Sequence, residues 1–243
     1  MRNRPEDRLL GMQKTIALAL ALAAMVQAGA YKAVLGIAPP LDVGGDLSSD
    51  LLTPFQTAMA EILSWEASLV PVLRVVDPVT LGSALEAKGW STRTDLTGTE
   101  VEDARMAGQQ QDADAVIVMQ VLHSGNAVNW KIAMAYKLGT DDRSLRFQGM
   151  SGEDQFMIQI RQEAVSFLDS LGVDVPAAAR QMATDRGRVP WEALLEYARG
   201  IRDQQAGQID DALRHLREAS RRAPLLTSLQ YRLKKLERDN PGR

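Results

Sequence analysis

No cysteine occurs in the 243 residues of this chain. Its absence excludes disulfides, thiol nucleophiles, cysteine zinc sites and a lipidated cysteine anywhere in this sequence. Histidine is almost as scarce, with only His123 and His215. His123 follows an apolar run with no acid at ligand spacing, and His215 stands between Arg214 and Arg217, which repel a cation. Both therefore read as surface or turn residues, not metal ligands. Aromatic residues make up only 5% of the chain. A Gly-x-Ser-x-Gly nucleophile turn is missing. Gly44-Gly45 before Ser48-Ser49 lacks the lysine and the spacing of a phosphate-binding loop, so it reads as a loop running into a helix cap. The acid pairs Glu102-Asp103, Asp141-Asp142 and Asp210-Asp211 fall in expected turns or first helical turns, where carboxylates cap and complement the dipole. Neither a catalytic set nor a cofactor or metal site is expected.

The bulk composition, 45% apolar and 24% charged, is that of a globular chain with one large or two modest domains. The net charge of −3 hides an asymmetry. Residues 31–212 carry 15 Lys/Arg against 26 Asp/Glu, and residues 213–243 carry 9 against 3. A basic end with a single aromatic, Tyr231, is a poor nucleic-acid surface. It reads instead as a helix face that complements the acidic part, with Leu229, Tyr231, Leu233 and Leu236 turned inward.

The longest uncharged apolar run is residues 15–30, after Lys14, with small residues at Ala28 and Ala30. It reads as a cleaved signal peptide, residues 1–30, with Met12 offering a tidier start. An uncleaved inner-membrane anchor and a buried helix are the alternatives, although the run is short for a span. The expected location is the periplasm.

Beyond it, residues 31–38 read as a buried apolar strand ended by Pro39-Pro40. Thr53-Pro54-Phe55-Gln56 reads as a capping box opening a helix, and Val72–Val76 as a second strand. Asp77-Pro78 opens a helix ended by Gly89, and Thr99–Glu102 another capping box. Residues 114–121 and 130–137 alternate as a hairpin. A second turn spans 138–143, a fifth strand 145–150, and a helix 154–171 ended by Gly172. The order β-α-β-α-α-β-β-β-α implies a mixed sheet with packed helices, an α/β unit over 31–173. Residues 174–190 read as a linker before a helical unit, 191–239.

Within that unit, Leu194, Tyr197, Ile201, Ala212, Leu213, Leu216 and Ala219 recur at helical spacing. Gly200 and Ala212 are small where two helices would approach, Gly207 suits a left-handed turn, and Pro224 stops the second helix. Ala193–Pro224 thus resembles one tetratricopeptide repeat, with residues 225–237 as a capping helix. The α/β unit resembles the amino-terminal domain of TolB as found fused to such repeats in bacterial envelope proteins. Ala33–Ile37, Leu73–Val76, Ala113–Ile117, Leu138-Gly139 and Leu171–Val173 carry that likeness. The resemblance implies an anticodon-binding-like α/β fold, no catalytic residues and a protein or peptide partner. The expected function is a non-enzymatic adaptor that binds through Leu194, Tyr197, Ile201, Gln204 and Gln205. A carboxylate-terminal peptide is disfavoured, since Lys, Arg and Asn are missing from that set. The alternatives are an enzyme or small-molecule site near Gly44-Gly45 and a structural homo-oligomer.

Overall fold

The computed structural model describes residues 33–41, 47–138, 141–170, 172–185 and 188–241. Residues 1–32, with the expected signal, and Gly44-Gly45 lie outside them, as does Gly139. The elements run β1 (Ala33–Ile37), α1 (Ser49–Ser68), β2 (Leu73–Val75), α2 (Pro78–Glu86), a 3-10 turn (Trp90–Thr92), α3 (Gly98–Gln109), β3 (Ala115–Ser124), β4 (Ala127–Leu138) and β5 (Asp141–Gly152). There follow α4 (Phe156–Ser170), α5 (Ala177–Asp185), α6 (Trp191–Gln205), α7 (Ile209–Arg222) and α8 (Thr227–Asp239).

The five strands form one mixed sheet in the order β2-β1-β3-β4-β5. β1 pairs in parallel with β2 and β3, and β3, β4 and β5 form an antiparallel meander. Strand alternation divides the side chains between two layers. Ile117, Met119 and Val121 pack with Phe55 and Met59 of α1 and Phe156 and Ile160 of α4. Val116 and Val118 pack on the other side with Leu81 and Leu85 of α2 and Val101 and Ala104 of α3. This is the expected α/β unit followed by a helical region. Among the described residues, no helix is long and apolar enough to cross a membrane.

Local differences from expectation have identifiable causes. α1 begins at Ser49, so Pro54 lies inside it and Thr53 caps nothing. Proline forfeits one helical hydrogen bond, and Leu51, buried in the earlier turn, extends the helix past it. The capping box of α3 sits two residues earlier than expected, where Thr97 and Glu100 satisfy each other's backbone donors. β4 reaches Leu138 and β5 starts at Asp141, so Asp141 and Asp142 belong to a ladder opposite Leu138 and Lys137 and not to a turn. Glu102 and Asp103 lie past the first turn of α3. Asp103 accepts from Lys88 Nζ (2.9 Å) and Arg93 Nη2 (2.7 Å), an ion network and not a dipole effect. The stretch 174–190 contains α5.

Candidate functional site

The inner face of α6 does not look outward. Leu194 and Tyr197 are 0% exposed and Ile201 1%. They share one apolar core with Phe55, Ala58, Met59 and Ile62 of α1. Trp191 begins the seam: its ring lies 4.9 Å from Phe55, 6.2 Å from Phe156, and stacks at 4.4 Å on His123. The α6–α7 hairpin closes as its small residues require. A Cβ on Gly200 would come within 2.7 Å of Leu216, and Gly207 turns the chain at φ +74°.

Of the side chains expected to bind a partner, Leu194, Tyr197 and Ile201 are thus taken up inside the molecule. Gln204 is half-buried, its Oε1 accepting from Arg232 Nη1 at 2.6 Å, and Gln205 is exposed. A repeat helix needs its apolar stripe covered, and α1 covers it. The sequence pattern marks such a stripe but carries no sign of which element lies on it.

A polar knot ties the two units where α8 crosses α1. Tyr197 Oη donates to Glu61 Oε2 at 2.9 Å, and Arg232 holds the same carboxylate with Nε at 3.2 Å and with its Nη2. Burial, then the Glu61 charge, pushes the Tyr197 phenol well above its ordinary value. Arg202 Nη1 adds a contact to Asp50 Oδ2 at 2.8 Å. The basic end therefore does answer the acidic unit, through Arg232. Arg217 turns instead to Glu237, and Arg221 and Arg222 to Glu218. Tyr231 departs from expectation: it is 55% exposed and lies over Trp65, ring centres 5.0 Å apart.

Two hollows flank the knot, of about 520 Å³ and about 490 Å³, and both are lined by Glu61, Pro78, Val79 and Arg232. They lie between α2 and the helical unit, over α1, one on each side of the Arg232–Glu61 contact. The α1 residues that line them are Thr53, Gln56, Thr57, Ala60, Glu61, Ser64, Trp65 and Ser68, one helical face in which only Trp65 is large and apolar. Among the described residues, five buried side-chain polar atoms have no hydrogen-bond partner. Four of them, Gln56 Nε2, Ser64 Oγ, Trp65 Nε1 and Ser228 Oγ, belong to residues that line these hollows, the atoms themselves lying buried behind the surface. Such groups are rare in native proteins because each costs about 1–3 kcal/mol of desolvation. No feature of the sequence marks them.

The remaining candidates do less. An apolar cavity between α1, α4 and the sheet, lined by Leu35, Leu63, Ile117, Ile160 and Leu168, holds about 80 Å³. Ligand pockets run to about 300–1,000 Å³. Both histidines differ from expectation, because each finds a carboxylate across an element boundary. His123 Nε2 lies 2.5 Å from Glu153 Oε1. His215 Nδ1 lies 2.5 Å from Glu196 Oε2, and its Nε2 is 3.4 Å from Asp203 Oδ2, closing α7 on α6. Burial raises the Glu196 carboxyl, but hydrogen bonds from His215 and Arg199 hold it below its ordinary value. Among the described residues no cluster of three or more His, Asp or Glu is placed to hold a metal ion.

No family model and no curated protein matches this sequence. Several solved structures show partial likeness. Lipoprotein GNA1162 from Neisseria meningitidis is 12% identical, with a TM-score of 0.35, over 59% of this chain and 99% of that one. The LpoB C-terminal domain from Salmonella enterica is 16% identical, with a TM-score of 0.33, over 54% of this chain and 91% of that one. The hypothetical protein CT253 from Chlamydia trachomatis is 10% identical, with a TM-score of 0.33, over 69% of this chain and 98% of that one.

Proposed function

We propose that this chain is a non-enzymatic adaptor of the bacterial envelope, exported to the periplasm and binding a protein partner. A TolB-like α/β unit braces a single tetratricopeptide-like hairpin, with α8 as its cap. The observation that carries this reading is the pair of hollows beside the Glu61–Arg232 knot. The α/β unit and the helical unit meet along α1 by an apolar seam, and beside that seam they leave two open hollows of about 520 and about 490 Å³. Concave surfaces of that size between two packed units suit the side chains of a partner.

The test is capture and titration. Immobilised full-length chain is exposed to envelope extract, and each protein retained is purified and titrated by calorimetry. A partner that binds saturably supports the proposal. If no retained protein binds in purified form, or if a reporter fused to residues 1–32 stays in the cytoplasm, the proposal falls.

A further inference from the structure

Within the α/β unit, we infer that the apolar cavity between α1, α4 and the sheet takes the end of an unbranched acyl chain. The inference goes beyond the adaptor reading and does not rest on it. The cavity holds about 80 Å³. Protein interiors leave few voids larger than a water molecule, and a void costs stability in proportion to its volume. Leu35, Ile37, Ile117, Met119 and Ile132 of the sheet form its floor, and Leu63 of α1 and Ile160 of α4 stand at its sides.

Water is a poor occupant of this space. It needs about 2–4 polar partners, and the only polar side chains in the lining are those of Glu66 and Arg161. Arg161 holds both carboxylate oxygens of Glu66, with Nε at 2.8 Å and Nη2 at 2.7 Å, so the two charges of the wall cancel.

Size and shape point to a chain end. A methylene takes about as much room as a water molecule, whose share of liquid volume is about 30 Å³, so about three fit. An apolar cavity of about 150 Å³ admits benzene, and this one, at about half that volume, calls for a thinner guest. On its outer side Ala67 and Val70 of α1 and Ala164 and Val165 of α4 are half-buried, which places the way in between the two helices. A helix with its side chains is about 10–12 Å across. A protein resting on these helices would have to send a side chain through that layer to reach Ile117 and Met119, farther than leucine or methionine extends. A hydrocarbon chain is long and thin enough.

The experiment titrates purified full-length chain with octanoate and with its branched isomer 2-propylpentanoate, and follows the methionine methyl resonances. Ala164→Leu and Ala67→Leu each add three carbons to one wall and fill the cavity. Val79→Leu, on exposed α2 surface, is the control. Octanoate is expected to shift the methyl signal of Met119, which lies 0% exposed in the lining, and to leave that of Met106, exposed on α3, in place. Each methylene buried is worth about a factor of four in affinity. The filled variants should therefore bind octanoate at least about tenfold more weakly, the control should match wild type, and the branched isomer should bind wild type more weakly than octanoate. Filling a real void leaves Tm unchanged or raises it, whereas overpacking a closed core lowers it. Flotation with vesicles of phosphatidylethanolamine and phosphatidylglycerol separates the sources of the chain. Wild type that floats where Ala164→Leu does not takes it from a membrane lipid, and octanoate binding without flotation assigns a free fatty acid. A Met119 signal that octanoate does not move, equal binding by the filled variants, equal binding of the two isomers, or a Tm that falls in both filled variants overturns the inference.

Discussion

Gly200→Ala sets two opposing effects against each other. Alanine in place of glycine inside a helix gains about 1 kcal/mol of intrinsic propensity. The new Cβ, however, would stand 2.7 Å from both Cγ and Cδ2 of Leu216 and 3.4 Å from the Ala212 carbonyl oxygen. Leu216 is 0% exposed and has no open space to move into, so α6 and α7 must part by several tenths of an ångström. Overpacking of this kind costs about 1–3 kcal/mol. The clash wins, leaving a net loss of about 1 kcal/mol and a fall in Tm of about 2–4 °C for a chain of this length. Thermal unfolding followed by circular dichroism reads the shift directly. The cause is checked by coupling: Leu216→Ala costs about 2–5 kcal/mol alone and less in the Gly200→Ala background, because the cavity it opens accepts the added methyl. A Tm that holds or rises in Gly200→Ala, or strictly additive effects in the double variant, would refute the close approach of these helices.

Tyr197→Phe removes the charge-assisted hydrogen bond to Glu61 and should cost about 1.5–3 kcal/mol in urea unfolding with an unchanged m-value. A smaller loss would mean that Arg232 alone satisfies Glu61. Trp191→Ala opens the seam between Phe55, Phe156 and His123 and should cost about 3–5 kcal/mol. Because one core runs through both units, wild type should unfold in a single calorimetric transition, and two separated peaks would contradict that continuity. The Asp103 carboxyl is held below its ordinary value of 3.8 by the Lys88 hydrogen bond, against burial, with Arg93 assisting. A carboxylate lowered on folding contributes stability above its unfolded value and loses it as pH falls through the folded one. Asp103→Asn should therefore be less stable than wild type near neutrality, with a gap that narrows once pH drops below 3.8. A gap that stays constant down the acid limb would show that the ion pairs contribute nothing.

Much of the fold is local and so could be read from the chain. Asp77-Pro78 caps α2, with Asp77 Oδ2 accepting from Thr80 N at 3.1 Å, and the β3–β4 alternation pairs as its period dictates. Gly200, Gly207 and Ala212 act where a hairpin needs them. The errors fall where two local signals compete or where tertiary contacts decide. Pro54 looks like a helix start because proline is common there, yet the buried turn before it extends the helix. His123 and His215 look isolated in sequence, while their carboxylates lie 30 and 19 residues away, respectively. Tyr231 sits at the spacing of buried leucines, but it rotates outward onto Trp65.

The binding face is the instructive case. Leu194, Tyr197 and Ile201 form the strongest apolar stripe of the helical unit, and a lone repeat must bury that stripe somewhere. Hydrophobicity at helical spacing reports a need for cover and is silent on whether the cover is a partner or the chain itself. The fold supplies α1, and the hollows left open beside it are lined by polar and small α1 residues together with Tyr197, Ile201, Gln204 and Gln205. Thr57, Ser64 and Ser68 carry no periodic apolar signal, so the sequence treats them as solvated. Only the structure shows that such residues line open hollows beside the seam. The apolar stripe therefore sets where the helical unit docks, and the polar stripe of the same α1 helix lines the surface that this docking leaves open.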